Sequence, residues 1–197
     1  AIARNIGIKS INKKSKIICF IDDDVSLGKN YFKGILEVFN SYPDVKGCVA
    51  YDPASGYKDE RLYLLLKKIF FIGRREGART DFVSSYGNLY PQNLREIKNA
   101  QWFPGLNTAY LKEIFKEQQF DENLLGYSTI EDTDFSYRLW KKHPNSLFIT
   151  PFAEVIHRAS PVERDPTKKM SYVNQVEKFY FQYKNINKNI FDIKFIW

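Results

Sequence analysis

The first strongly patterned stretch is Ile17-Ile18-Cys19-Phe20-Ile21, five apolar residues that run straight into Asp22-Asp23-Asp24. An unbroken apolar run of this length predicts a strand buried on both faces, as in the middle of a parallel sheet. Ahead of it, Ile2 and Ile6 stand at helical spacing and predict a helix over residues 1–10. Behind it, Gly28-Lys29-Asn30 leads into a second helix whose apolar stripe is Phe32, Ile35, Leu36 and Phe39. Tyr42-Pro43-Asp44 stops that helix, and residues 45–51 form the next buried strand. Strand, helix, strand is the unit of a parallel sheet.

The middle of the chain is less regular. Residues 60–72 predict an amphipathic helix rich in Leu and Phe, 73–77 a basic loop, and 81–90 a hairpin or a set of short strands. A short helix is expected over 109–115. Another begins near Ser128 or Thr129, where Ser128-Thr129-Ile130-Glu131 fits a capping box. Its inner face is Phe135 and Leu139, and Asp134 and Arg138 can pair at i,i+4. Lys141 and Lys142 close it with the charge that a helix C-terminus favours. Two strands, 147–150 and 154–157, and a final amphipathic helix over 167–184 complete the pattern. No internal repeat or linker divides the chain, so one α/β domain is expected, with parts at 1–51, 52–160 and 161–197.

Composition narrows the function. With 44% hydrophobic and 16% aromatic residues in 197, the chain folds around a proper core. A net charge of +7 favours anionic partners, but the lysines are spread out with no arginine-rich block, which argues against nucleic acid. Cys19 and Cys48 lie in apolar runs and read as buried free thiols of a reducing compartment. No apolar run is long enough to span a bilayer. The chain opens on Ala1 in mid-helix with no cap and stops on Phe195-Ile196-Trp197, so a fragment of a longer protein is expected.

The chemistry gathers at a few acids. Three carboxylates at the end of a buried strand lie where open α/β sheets place ligands, and a divalent cation carrying phosphate oxygens would neutralise them. Strand alternation puts Asp22 and Asp24 on one side and Asp23 on the other. A solvated acidic turn is the plainer alternative. Asp132 shares the inward face of its helix with Phe135, Ser136 and Leu139, where burial would raise its pKa toward that of a general base. Alternatively, Glu131 and Asp132 are only first-turn acids. His157, at a strand end, either completes a metal site with Asp24 or is structural. Arg4 and Asn5 could reach a diphosphate or a base, or lie idle on the surface. Trp102 is core, or an aromatic that stacks on a sugar ring.

In order, these pieces resemble glycosyltransferase family 2, the inverting enzymes of the GT-A fold. Ala3-Arg4-Asn5-Ile6-Gly7 is similar to the family's Ala-Arg-Asn-x-Gly helix, and Phe20-Ile21-Asp22-Asp23-Asp24 to its Asp-x-Asp strand end. Phe103-Pro104-Gly105-Leu106-Asn107-Thr108-Ala109 resembles the Gly-x-Asn-x-Ala segment beside the donor sugar. Phe120-Asp121-Glu122, then Glu131-Asp132-Thr133-Asp134 and Arg138, resemble the Phe-Asp-Glu…Glu-Asp-x-Asp…Arg block. Pro151 through His157 matches the closing Pro-x-Ala-x-Val-x-His. The resemblance implies a mostly parallel, Rossmann-like GT-A sheet flanked by helices, without the first strands of the nucleotide-binding half. It implies a donor site at Arg4, Asn5, Asp22, Asp23, Gly105 and Asn107, with Mg²⁺ or Mn²⁺ held by Asp24 and His157. Asp132 would be the base, and Trp102 and Glu131 would face the acceptor. The implied donor is a nucleotide sugar, first a UDP-sugar, and the acceptor a glycan or lipid-linked glycan of envelope synthesis. A cytoplasmic location follows, and the aromatic, basic stretch 179–184 suggests peripheral membrane contact.

Two rivals remain. Ile21-Asp22-Asp23-Asp24-Val25-Ser26 also resembles the nucleophile loop of haloacid-dehalogenase-type phosphatases, with Asp22 as nucleophile, but this leaves the other segments unexplained. A sugar-binding domain without catalysis is the other, and intact Asp24, Asp132 and His157 argue against it.

Overall fold

The computed structural model describes residues 1–52, 93–124, 128, 130–158 and 167–186. The helix expected at 60–72, the loop at 73–77, the hairpin at 81–90 and the tail beyond 186 lie outside these residues. Helix α1 (Ile2–Lys9) leads to strand β1 (Ile17–Ile21), the short β2 (Val25–Leu27), helix α2 (Tyr31–Ser41) and β3 (Gly47–Ala50). There follow β4 (Lys98–Asn99), β5 (Asn107–Leu111), a 3₁₀ turn (Lys112–Lys116) and helix α3 (Glu131–Lys142). β6 (Leu147–Thr150), β7 (Val155–His157) and helix α4 (Thr167–Phe181) come last, and α4 continues into a π-helical turn, Gln182–Ile186.

The main sheet has the order β1-β5-β3-β6-β4, and β2 pairs separately with β7. It is mixed and mostly antiparallel, which corrects the mostly parallel sheet expected from the sequence. β1, β3 and β6 do run the same way, but β5 enters between β1 and β3 in the opposite sense, and β4 opposes β6. The strand-helix-strand unit was therefore read correctly, whereas its two strands are not neighbours. Among the described residues β1 pairs within this sheet with β5 alone, and only Ile18 of its five residues is fully buried. An apolar run does not reveal which strands will flank it.

Strand alternation divides the core in two. On one face Tyr110, Val49, Leu147 and Ile149 pack with Phe103, Phe115, Phe120, Phe135, Leu139 and Phe181, under α3 and α4. On the other, Cys48, Ala50, Ala109 and Phe148 pack with Tyr31, Ile35 and Val38 of α2. The result is helix, sheet, helix. The buried stripe of α2 is Tyr31, Gly34, Ile35 and Val38, so the expected stripe is rotated: Phe32 and Leu36 are exposed. Gly34 sets this rotation, since a Cβ there would lie 2.5 Å from the Phe152 carbonyl oxygen.

Three local expectations also change. Residues 107–111 form a strand, and only the 3₁₀ turn after it is helical. The capping box at α3 does not form: Ile130 is the N-cap residue, with no side-chain cap, and Glu131 is engaged elsewhere. The stretch 179–184 does not lie outward as a unit, because Phe181 and Gln182 are buried and Lys184 is ion-paired.

A buried polar network fastens α4 to the body. Asp134, with a side chain 1% exposed, accepts from Arg138 Nε (2.8 Å), Lys184 Nζ (3.0 Å) and Asn185 Nδ2 (2.8 Å). Asp121 accepts from Lys184 Nζ (2.5 Å) and Tyr180 OH (2.6 Å), contacts that hold its carboxyl well below the usual range although partial burial works against them. Removing one member of a buried pair leaves the others desolvated and unmatched. Asp134→Ala should therefore cost about 3–5 kcal/mol in urea unfolding, whereas Glu113→Ala, which breaks the exposed pair with Lys46, should cost no more than about 1 kcal/mol. Equal losses would mean that the network carries no special weight.

Candidate active site

The C-terminal ends of β1, β3 and β6 share one edge of the sheet, and the first turns of α1 and α3 meet there. Helix α1 is held in place by Asn5, whose amide mimics a strand partner. Its Nδ2 donates to the Phe120 carbonyl (2.9 Å) and its Oδ1 accepts from the Phe120 N–H (3.0 Å), while Nδ2 also reaches Glu122 Oε1 (2.9 Å). This anchoring aims Arg4 at three carboxylates. Its guanidinium lies 2.5 Å from Glu131 Oε1 and 3.4 Å from Asp22 Oδ1, and it forms an ion pair with Asp132 Oδ1. It also sits 5.5 Å above the Phe120 ring.

Asp132 is buried, and burial pushes its carboxyl up to about 6 although Arg4 pulls the other way. Glu131 and Asp22 add to the upward shift by repulsion. The Asp22 carboxyl is also raised, first by burial and then by its acidic neighbours, against the pull of Arg4. Segment 103–106 closes over this turn of α3. The Phe103 N–H donates to Ser136 Oγ (2.8 Å), which donates to the Asp132 carbonyl (2.6 Å). Gly105 faces the carboxylate so closely that a Cβ on it would run into Asp132 Oδ2.

A second cluster lies one turn along the chain. After Asp22 the chain reverses, with the Val25 N–H on the Asp22 carbonyl (3.2 Å), and β2 pairs with β7 so that Val25 faces His157. Asp24 Oδ2 then lies 3.1 Å from His157 Nε2, and the Arg158 N–H closes on the Asp24 carbonyl at 2.9 Å.

Of the residues singled out in the sequence, Arg4, Asp22, Gly105, Glu131 and Asp132 come together, as do Asp24 and His157. Asp23 is exposed on the turn between the two clusters. Asn5, Asn107 and Trp102 are buried. Asn107 bridges β5 to β3, with Oδ1 accepting from the Ala50 N–H at 2.8 Å. Trp102 belongs to the core. Sequence reasoning passed over Asp52, 1% exposed just beyond β3 at the same edge of the sheet, for which a lone Asp after an apolar strand was the available signal. Ser136, expected on the same helix face as Asp132, does lie beneath it.

The donor set can be tested against Mg²⁺ or Mn²⁺. Among the described residues no group of three or more His, Cys, Asp or Glu side chains is arranged to hold a metal ion. Asp24 and His157 form a two-donor set whose 3.1 Å separation matches the roughly 3 Å between adjacent ligands of an octahedral ion bound at about 2.1 Å. One carboxylate and one imidazole suit an ion that draws its other ligands from phosphate oxygens and water.

No protein-family model matches the chain, and no curated protein sequence matches it. Among solved structures the chain is similar to GalNAc-T7, crystallised with UDP, GalNAc and Mn²⁺. The TM-score is 0.56 at 17% identity, over 98% of this chain and 39% of that one. The chain thus spans about two-fifths of the length of that protein. A197 from STIV superposes with a TM-score of 0.44 at 14% identity, over 84% of this chain and 78% of that chain. The likeness to GalNAc-T7 is one of fold: the chain has an α/β fold resembling that of GT-A glycosyltransferases. Among the described residues no helix is long and apolar enough to cross a membrane.

The raised Asp132 carboxyl has a consequence for stability. The folded chain holds this proton between about pH 4 and about pH 6, where the unfolded chain has lost it. The stabilisation is complete below about pH 4 and is lost as pH rises through about 6, a fall of about 2–3 kcal/mol. Urea unfolding across this range should show the fall in the native chain, and Asp132→Asn should flatten it. An unchanged slope in the variant would assign the titration to another group.

Proposed function

We propose that this chain carries the catalytic centre of a glycosyltransferase. The reaction moves a sugar from a nucleoside-diphosphate sugar to an acceptor hydroxyl, with inversion at the anomeric carbon. The observation that carries this reading is Asp132, a buried carboxylate with its proton affinity raised to about 6, opposite Gly105 and joined through Arg4 to Asp22, two residues before Asp24 of the Asp24–His157 pair. A base near neutrality suits removal of a hydroxyl proton during attack. The acceptor oxygen forms the new bond to the anomeric carbon, its proton passes to an Asp132 oxygen, and the bond to the diphosphate breaks with its electrons leaving on the phosphate. Asp24 and His157 would hold Mg²⁺ or Mn²⁺, which supplies positive charge to the departing diphosphate.

The other residues divide between contact and support. Asp22, half-exposed beside Arg4, binds a donor hydroxyl, and Asp23 lies on the same turn. Arg4 holds Asp132 and Glu131 in register. Gly105 leaves room for the carboxylate and the sugar. Asn5, Asn107 and Trp102 hold the backbone that carries these groups. Glu131 lies on the acceptor side of Asp132. The crystal structure of GalNAc-T7 with UDP, GalNAc and Mn²⁺ supports a UDP-sugar as the first donor to try.

Calorimetry with UDP, GDP and dTDP, with and without Mn²⁺, tests the donor side. Binding should require both the metal and Asp24, and Asp24→Ala should abolish it. Asp132→Asn should keep that binding and lower the transfer rate by about 10²–10⁴-fold. Nucleotide binding that ignores both metal and Asp24, or full transfer by Asp132→Asn, would sink the reading.

A further inference from the structure

Among the described residues, acidic and basic side chains are unevenly distributed along the strand direction. Asp22, Asp23, Asp24, Glu131 and Asp132 crowd the edge of the sheet where β1 ends and α3 begins. The opposite edge, where β1 begins and β5 ends, is lysine-rich. Lys16 and Lys112 are joined there through the backbone, Lys112 N–H to Lys16 C=O at 2.8 Å, and Leu111 is joined in the same way to Lys46 at 3.1 Å. A concavity of about 520 Å³ opens between Lys13, Lys16, Leu111, Lys112, Glu113 and Lys116. Its one carboxylate, Glu113, is already paired with Lys46 at 2.9 Å. The Lys112 ammonium braces the rim by donating to the carbonyls of Asn12 (2.8 Å) and Lys13 (3.0 Å). Lys13, Lys14, Lys16 and Lys116 are exposed.

We propose that this lysine edge is a docking surface for anionic phospholipid, and that it holds the acidic edge turned away from the bilayer. Clustered ammonium groups are favoured beside an anionic leaflet, each contributing additively within a Debye length. This uneven charge also orients the chain. The acidic edge is repelled by the same surface that attracts the lysines. The side-chain chemistry selects lipid over nucleic acid. The described cations that line the concavity are all lysine: the described arginines, Arg4, Arg95, Arg138 and Arg158, lie on α1's first turn, before β4, on α3 beside Asp134, and after β7. Among the described residues no exposed aromatic lines the concavity to stack a base. Lysine is a compact, hydrated point charge, which suits a headgroup layer and lacks the fork that reads base edges.

Flotation with vesicles tests this. The chain should float with phosphatidylcholine vesicles containing roughly one-third phosphatidylglycerol and not with pure phosphatidylcholine, and rising salt should release it. Lys13→Glu with Lys16→Glu should weaken the binding at least about tenfold. The control is Lys29→Glu with Lys33→Glu, two exposed lysines around the start of α2 that change net charge equally. It should weaken binding far less, with both doubles folded by circular dichroism. Failure to float with the anionic vesicles would overturn the proposal. So would equal loss in the two doubles, which would reduce the effect to net charge. Single-stranded DNA bound more tightly than the vesicles, with the same dependence on Lys13 and Lys16, would replace the bilayer with nucleic acid.

Discussion

The arrangement at the acidic edge depends on one guanidinium. Arg4 faces carboxylates from two separate elements, Asp22 at the end of β1 and Glu131 and Asp132 at the start of α3. Without it, like charges in a half-buried spot would repel strongly, because the effective dielectric there is far below that of water. Arg4 reaches them only because α1 is docked, and α1 is docked by a side chain imitating a backbone. Asn5 gives Phe120 a donor and an acceptor at 2.9 and 3.0 Å. The Phe120 ring in turn lies beneath the guanidinium. Helix position, ring packing and site charge are thus one construction.

What the sequence made legible, and what it hid, follow from the range of each interaction. Strands β1, β3 and β6, helices α2 and α3, and the pairing of Asp134 with Arg138 were readable, since apolar periodicity and i,i+4 spacing are local. The sheet order was not. Insertion of β5 against the direction of β1 and β3 depends on where the chain returns, and no pattern within 107–111 carries that. The rotation of α2 hung on a backbone contact between Gly34 and Phe152, more than a hundred residues apart. Arg4, Asp22, Asp24, Asp132 and His157 stand out because they sit in short motifs of unusual chemistry, and the structure brings Arg4, Asp22 and Asp132 together and sets Asp24 beside His157. Asn5 and Asn107 stood in the same motifs, yet their amides serve the backbone. Polar residue type alone cannot separate a ligand contact from a buried strut. The links from Asp121 and Asp134 to Lys184 span 63 and 50 residues and left no trace in spacing.

Two acids on the first turn of α3 show how the surroundings decide the role. Both lie near the positive end of the helix dipole, which favours the anion. Asp134 is enclosed by Arg138 and Lys184, and Lys184 is shared with one further carboxylate, Asp121. Positive and negative charges balance there, and the cluster is structural. Asp132 has one guanidinium, divided with Glu131 and Asp22. Positive charge is short, so burial prevails and the carboxyl keeps its proton up to about 6. Asp23 and Asp24, the next two residues after Asp22, deepen the deficit. A site short of positive charge, with a carboxylate and an imidazole at the spacing of two cation ligands, is poorly suited to bind a diphosphate by itself. Under the proposed glycosyltransferase reading, donor and divalent cation would therefore bind together, each supplying what the other needs from this edge of the sheet.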